Sequence, residues 1–376
     1  MLRPSFFHAA LKEHGIDFFT GVPDSLLKNF CAYISDTLPT EKHCIAANEG
    51  GAVGLGIGYH LATNKVPLIY MQNSGLGNIV NPLLSIADRE VCAVPMLLMI
   101  GWRGEPGIKD EPQHIKQGRV MLAMLDAMEI PYVIIDNDED VTKSQINQAM
   151  TYVTEKSAPY ALVIRKNTFS KYDYEGAEGQ SNFMREAAVE TISHFFTDDT
   201  VFIATTGMTA RELFEVRDKT DQSHEKDFLV IGGMGHASQI ALGVSLNTPT
   251  KNVVCMDGDG ALLMHMGSLG LNGTYGKDNF IHIVLNNGAH ESVGAQKTLT
   301  PHICLTDLAT ACGYRSVQQA SSPESLKAAL AQITHTTGPH FIEVATACGH
   351  RNDLGRPTMS PAQNKISVQE YLEMTN

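Results

Sequence analysis

Positive charge is in short supply in this sequence: 28 Lys and Arg stand against 41 Asp and Glu, for a formal net charge of −13. Sequence-independent binding to nucleic acid or to an anionic membrane needs a dominant positive field, so both are excluded as main activities. A small anionic molecule in a locally basic pocket is not excluded. Cysteine is sparse as well. The seven, at 31, 44, 92, 255, 304, 312 and 348, are odd in number, widely spaced and set among apolar neighbours such as Val253, Val254 and Met256 around Cys255. They read as buried free thiols of a reducing compartment. No run approaches the ~20 apolar residues that a membrane helix needs, and the stretch from Met1 to His8 lacks the apolar core of a signal peptide. The expectation is a soluble, cytoplasmic protein. Disorder is not expected, since 376 residues at 43% hydrophobic content can bury full cores, and the usual domain size favours two.

What the chain does have is a regular alternation. Short runs rich in Val, Ile, Phe and Tyr are separated by segments of helical periodicity, the pattern of βα units and mainly parallel sheets. Strands are expected over 17–20, 43–48, 67–72, 95–100, 132–135 and 160–164, and again over 201–205, 228–231, 252–256, 281–285 and 340–344. Between the two sets, 166–181 is polar, charged and Gly-containing, as linkers are. The domains are placed at 1–170 and 183–376, with 171–182 joining them. Both halves pass through the same events in the same order. Thr20-Gly21 and Thr206-Gly207 each end a strand before a helix, and the turns at Gly75 and Gly260 each follow a later strand, at offsets of 186 and 185 residues. A register held this closely favours two related domains. The fold class expected is α/β, built from two related doubly wound parallel sheets.

Open parallel sheets bind ligands beyond the carboxyl ends of their strands. Gly258-Asp259-Gly260 lies there, directly after the strand 252–256. Its glycines let backbone N–H groups approach a phosphate, and Asp259 offers a hard oxygen to Mg²⁺. One βα unit later come Asn286-Asn287-Gly288-Ala289, where an Asn side chain and a backbone carbonyl can complete an oxygen shell. Spacing alone leaves Asn286 and Asn287 both open as the side-chain ligand. Each motif by itself is an ordinary turn. Together at strand ends they resemble the thiamin-diphosphate enzyme superfamily.

That resemblance implies a thiamin-diphosphate-binding fold in both domains, and metal ligation by Asp259, Asn287 and the carbonyl of Ala289. It also implies diphosphate contacts from Gly258, Gly260, Gly207, Met208 and Thr209, and a cofactor bent into its V shape over Met234. Glu49 matches the superfamily's glutamate, standing before Gly50-Gly51-Ala52-Val53-Gly54, and the implied role is proton exchange with the cofactor's pyrimidine. Plainer readings exist for each: a helix N-terminal acid for Glu49, a core methionine for Met234, helix capping at Gly207 to Thr209. Gly54, Gly56 and Gly58 also imitate a dinucleotide fingerprint, but the acidic residue expected ~20 positions on is missing.

Along essentially its whole length the chain is similar to the phosphonopyruvate decarboxylase family. The similarity is carried by Gly21-Val-Pro-Asp-Ser25, Asn73 to Asn78, Gly101 to Pro106, Asp110 to His114, Asn286 to Ser292 and Asp353 to Thr358. It implies decarboxylation of 3-phosphonopyruvate to phosphonoacetaldehyde and CO₂ in phosphonate biosynthesis, with another 2-oxo acid such as sulfopyruvate or pyruvate as the alternative. A catalytically silent regulatory subunit is disfavoured by the presence of both Glu49 and the metal motif. The anionic substrate calls for basic and polar groups. Candidates are Ser25, Arg103, Lys109, Gln113, His290, Arg351 and Arg356, with Gln296 beside His290 and with His114 as the group that moves a proton. The 101–118 stretch is long and Gly/Pro-rich, as functional loops are. The family resemblance also implies a homo-oligomer with its active site at a subunit interface.

Overall fold

The runs Met96–Gly101 and Pro159–Ile164 are apolar without alternation, and both are buried along their whole length. Successive side chains of a strand point to opposite faces, so such a run needs cover on both. In the first run Leu97 and Met99 join Phe7, Phe30 and Leu162 on one face of a sheet, while Leu98 and Ile100 join Ile69, Met71 and Val163 on the other.

The computed structural model describes residues 1–196 and 199–374, which form two compact units, the first Met1–Gly176 and the second beginning at Ala177. The first unit holds β1 (Phe19–Gly21), β2 (His43–Ile45), β3 (Leu68–Gln72), β4 (Met96–Gly101), β5 (Tyr132–Ile134) and β6 (Pro159–Ile164). All pair in parallel, in the order β2-β1-β3-β4-β6-β5. The second unit holds β7 (Thr200–Ala204), β8 (Asp227–Leu229), β9 (Asn252–Gly258) and β10 (Phe280–Asn286). A small hairpin of β11 (Ala289–His290) and β12 (Gln296–Lys297) follows, then β13 (Ser316–Ala320) and β14 (His340–Ala345).

The second parallel sheet has the order β13-β14-β10-β9-β7-β8. Counted within their own sheets and read from the opposite edge, its strands repeat the order of the first sheet. The internal register seen in the sequence is therefore a repeated topology, and α/β with two doubly wound sheets is the architecture found. Strand β13 was not expected. Its sequence, Ser316-Val-Gln-Gln-Ala320, carries little apolar signal because it lies at the edge and pairs with β14.

From Arg165 to Met184 the chain forms no regular element beyond two single bridges, Leu2 with Phe169 and Gly179 with Ala347. All seven cysteines are unpaired. The expectation that they are buried is corrected in part: Cys31, in the helix Lys28–Thr37, and Cys255, in β9, are buried, but Cys92 and Cys304 are exposed because they lie in connecting segments. Among the described residues no helix is long and apolar enough to cross a membrane.

Candidate functional site

In the second unit, β9 passes through Gly258 directly into the helix Asp259–Met264. Its parallel neighbour β10 sets Leu285 opposite Gly258, so Asp259 and the Asn286-Asn287 pair leave adjacent strand ends. Thr300 closes the gap. Its hydroxyl lies 3.0 Å from Asp259 Oδ2 and 3.1 Å from Asn286 Oδ1, and the Thr298 hydroxyl donates to Asp259 Oδ2 at 2.6 Å. Asp259 is 3% exposed. Burial pushes its carboxyl pKa above the usual range, against the pull of the two threonine hydroxyls, and a buried carboxylate of this kind is suited to meeting a cation.

The two asparagines are used differently. Asn286 donates to Glu343 Oε1 at 2.7 Å, while its oxygen accepts from the Gly288 N–H at 3.1 Å and faces Thr300. Asn287 donates to Glu291 Oε2 at 2.8 Å, and its oxygen accepts one bond, from the Ala289 N–H at 3.1 Å. A carbonyl oxygen has two lone pairs, so Asn287 keeps one for a ligand where Asn286 has both engaged. Behind this turn, Arg185 donates to both oxygens of Glu212 at 2.8 Å and to Glu291 Oε2 at 2.9 Å. Arg185 and Glu212 are buried, so this network fixes Glu291 and, through it, Asn287.

Gly260 is a crowded position. A Cβ built there would lie 3.1 Å from the His290 ring and 3.3 Å from the Met234 methyl, so His290 and Met234 flank the same turn. Burial lowers the His290 pKa to about 4, leaving its ring neutral at pH 7. Gly207 opens the helix Met208–Lys219 with φ of 100°, and a Cβ there would meet nothing within 4 Å. At Gly258 the nearest group is the Thr205 methyl, at 3.9 Å. Half-buried backbone at a helix start, with space in front of Gly207, fits a diphosphate, and the oxygen donors of Asp259 and Asn287 fit a hard divalent cation.

In the first unit, Glu49 is the first residue of the helix Glu49–Thr63 and is 4% exposed. Asn48 caps this helix by accepting from the Gly51 N–H at 2.8 Å. The turn after β3 holds the carboxyl: Asn78 donates to Glu49 Oε2 at 2.7 Å, and a Cβ on Gly75 would lie 2.5 Å from Glu49 Oε1. Only glycine fits there while Glu49 keeps this position.

The same turn reaches the segment after β4, because Asn73 donates to the Arg103 carbonyl at 2.7 Å; the loop expected over 101–118 is shorter, since the helix Pro112–Ala127 begins within it. Arg103 grips Asp110 with two N–H groups, at 2.9 and 2.5 Å, and donates to Ser25 Oγ at 2.6 Å. The structure thus brings Ser25 and Arg103 together. His114 sits in the first turn of the helix Pro112–Ala127, and burial, reinforced by the Arg103 charge, lowers its pKa to about 4. Gln113 is half-buried beside it, while Lys109 is exposed. The remaining candidate cations lie elsewhere, in the second unit. Arg351 donates to Glu186 at 2.7 Å, to Asp353 at 2.8 Å and also to Glu215, three carboxylates that occupy its fork. Arg356 is exposed.

Sequence reasoning missed Asp24, which lies next to Ser25. It is fully buried, accepts from the Leu26 N–H at 2.9 Å and leaves Oδ1 without a hydrogen bond. Burial raises its pKa from 3.8 to about 6, opposed by that backbone bond and by Arg103. A raised carboxyl pKa favours folding below the unfolded value and loses that contribution as pH rises through the folded one. For a shift of this size the loss is on the order of 3 kcal/mol. Asp24→Asn should therefore raise the melting temperature by several degrees at pH 8 and by little at pH 4. Thermal melts at the two pH values check this, and an equal change at both would contradict it.

Two family descriptions match the sequence: "Thiamine pyrophosphate enzyme, N-terminal TPP binding domain" over residues 5–130 and "Thiamine pyrophosphate enzyme, C-terminal TPP binding domain" over residues 203–344. A phosphonopyruvate decarboxylase of Streptomyces viridochromogenes is 33% identical over 372 residues, covering 94% of this chain and 91% of that protein. One of Streptomyces hygroscopicus is 31% identical over 387 residues, covering 99% and 94%. A sulfopyruvate decarboxylase of Methanosarcina acetivorans is 26% identical over 390 residues, covering 97% and 96%.

Proposed function

The chain belongs to the thiamin-diphosphate-dependent decarboxylases that include the phosphonopyruvate decarboxylases, and from that membership we propose that it converts 3-phosphonopyruvate to phosphonoacetaldehyde and CO₂, in the biosynthesis of phosphonates. The observation that carries the proposal within the fold is the Thr300 hydroxyl shared between Asp259 and Asn286, which ties the two cofactor motifs into one oxygen-lined turn.

When bound, thiamin diphosphate supplies the carbanion that attacks the ketone and the ring that takes up the electrons released with CO₂. Asp259, Asn287 and the Ala289 carbonyl would hold Mg²⁺. Backbone groups of Gly207, Met208, Thr209, Gly258 and Gly260 would meet the diphosphate, and Met234 would support the rings. Glu49 would exchange a proton with the cofactor's pyrimidine. His114, neutral at pH 7, would accept and return a proton at a ring nitrogen. Arg103, with Ser25 and Gln113, meets the phosphonate. A homo-oligomer with its active centres at the subunit boundary follows from the same membership, and light scattering on the purified protein checks it.

Sulfopyruvate is the second reading, favoured by the full-length resemblance to the archaeal enzyme. CO₂ release from 3-phosphonopyruvate, sulfopyruvate and pyruvate, with thiamin diphosphate and Mg²⁺ present, decides between them. A site built for a charged end group should prefer phosphonopyruvate over pyruvate by ~10²-fold or more in kcat/KM. Higher kcat/KM for either of the other two acids would overturn the assignment.

A further inference from the structure

Gln296 is 0% exposed, yet neither its Nε2 nor its Oε1 has a hydrogen-bond partner among the described residues. A buried amide without partners costs folding free energy, so its presence calls for a reason. Its surroundings supply one. In the β11–β12 hairpin Gln296 pairs directly with His290, and paired residues of antiparallel strands project to the same face. Thr298 lies just past the end of β12, and its N–H donates to the Gly288 carbonyl at 2.9 Å, which carries the pairing one step further. Both neighbours touch the Gly258-Asp259-Gly260 turn, His290 with its ring against Gly260 and Thr298 through its bond to Asp259. The orphan amide is therefore flanked on both sides by residues that line the cofactor turn. Gly294 leaves the amide its space, since a Cβ at that position would lie 2.9 Å from both amide atoms.

We propose that the Gln296 side chain donates to the carboxylate of the 2-oxo acid, the group that leaves as CO₂. The inference rests on the phosphonopyruvate reading and adds a residue to it. The two anionic ends of that substrate have different needs. A phosphonate keeps its charge through the reaction, so a cation such as Arg103 suits it. A carboxylate sheds its charge as the C1–C2 bond breaks and the electron pair stays with the C2 fragment. An ion pair would stabilise the charged ground state and oppose that step. A neutral amide orients the carboxylate without an ion pair, in a buried setting that favours charge loss.

The test uses wild-type and Gln296→Leu protein loaded with thiamin diphosphate and Mg²⁺, and measures competitive inhibition by two inert probes. One is 3-phosphonopropionate, which has both end groups; the other is ethylphosphonate, which lacks the carboxylate. In the variant, 3-phosphonopropionate should bind ~10-fold or more weakly, as loss of a hydrogen bond to a charged group predicts, with ethylphosphonate unchanged. The melting temperature of the cofactor-free variant should rise by about 2 °C or more, because an unpaired buried amide has been removed. Unchanged affinity for 3-phosphonopropionate, or an equal loss for both probes, overturns the proposal. Wild-type protein that binds neither probe overturns the phosphonopyruvate reading and this proposal with it.

Discussion

Turnover by the Glu49→Gln protein should fall by about 10²–10⁴-fold, the range that one general acid–base group contributes, while thiamin diphosphate still binds. The substitution keeps the shape of the side chain and removes its ability to exchange a proton. The slot is tight enough to make the comparison clean. Glu49 is 4% exposed, Asn78 holds one carboxyl oxygen at 2.7 Å, and Gly75 leaves room for the other and no more. A glutamine can still offer an oxygen to Asn78, so the helix start should survive. Were Glu49 a mere helix N-terminal acid, its loss would cost about 0.3–1 kcal/mol of stability and leave the rate alone. Initial rates, together with calorimetric titration of the cofactor, separate the outcomes. Wild-type turnover in Glu49→Gln would remove Glu49 from the chemistry.

Asp259→Ala should lose metal-dependent cofactor binding altogether. The apparent Mg²⁺ affinity should drop by more than the ~10–100-fold typical of groups that only orient a ligand. The cofactor-free protein should be no less stable than the wild type, because the substitution removes a buried carboxylate whose pKa burial has already raised, and Thr298 and Thr300, 2.8 Å apart, can bond to each other. Asn286→Ala should behave in the opposite way. It strips Glu343 of its 2.7 Å partner and Thr300 of an acceptor, so the cofactor-free protein itself should melt lower. Mg²⁺ titrations at fixed thiamin diphosphate, with melts of each apo-protein, test both. Tight, metal-dependent cofactor binding by Asp259→Ala would exclude Asp259 as the metal ligand.

Much of this was legible in the sequence where the signal is local. The long central strands carry unbroken apolar runs, and Gly258-Asp259-Gly260 and Asn286-Asn287 sit within a few residues of the strand ends that position them. The edge strand β13 was not legible, because pairing with one neighbour asks little of Gln318 and Gln319. Partners far away in sequence were also hidden. Asn78 closes a recognised segment but lies 29 residues from Glu49, with nothing to show that the two meet, and Thr298 lies 39 from Asp259 with no motif of its own. Arg351 shows the converse. Its charge is plain in the sequence, but Glu186 and Glu215, which engage it, stand 165 and 136 residues away. Asp24 lies inside the recognised Gly21-Val-Pro-Asp-Ser25 segment, yet only the depth of its burial raises its pKa to about 6.

By the shared strand order of the two sheets, Gly75 and Gly260 are equivalent positions, each following the third strand of its sheet. At both, the missing side chain admits a functional neighbour: the Glu49 carboxyl in the first copy, the His290 ring in the second. The same turn thus occurs twice, and its two occurrences differ in what they admit, a carboxyl in the first sheet and an imidazole in the second. A side chain at either glycine would push on that neighbour, so substitution at Gly75 or Gly260 acts on Glu49 or His290 rather than on the turn itself.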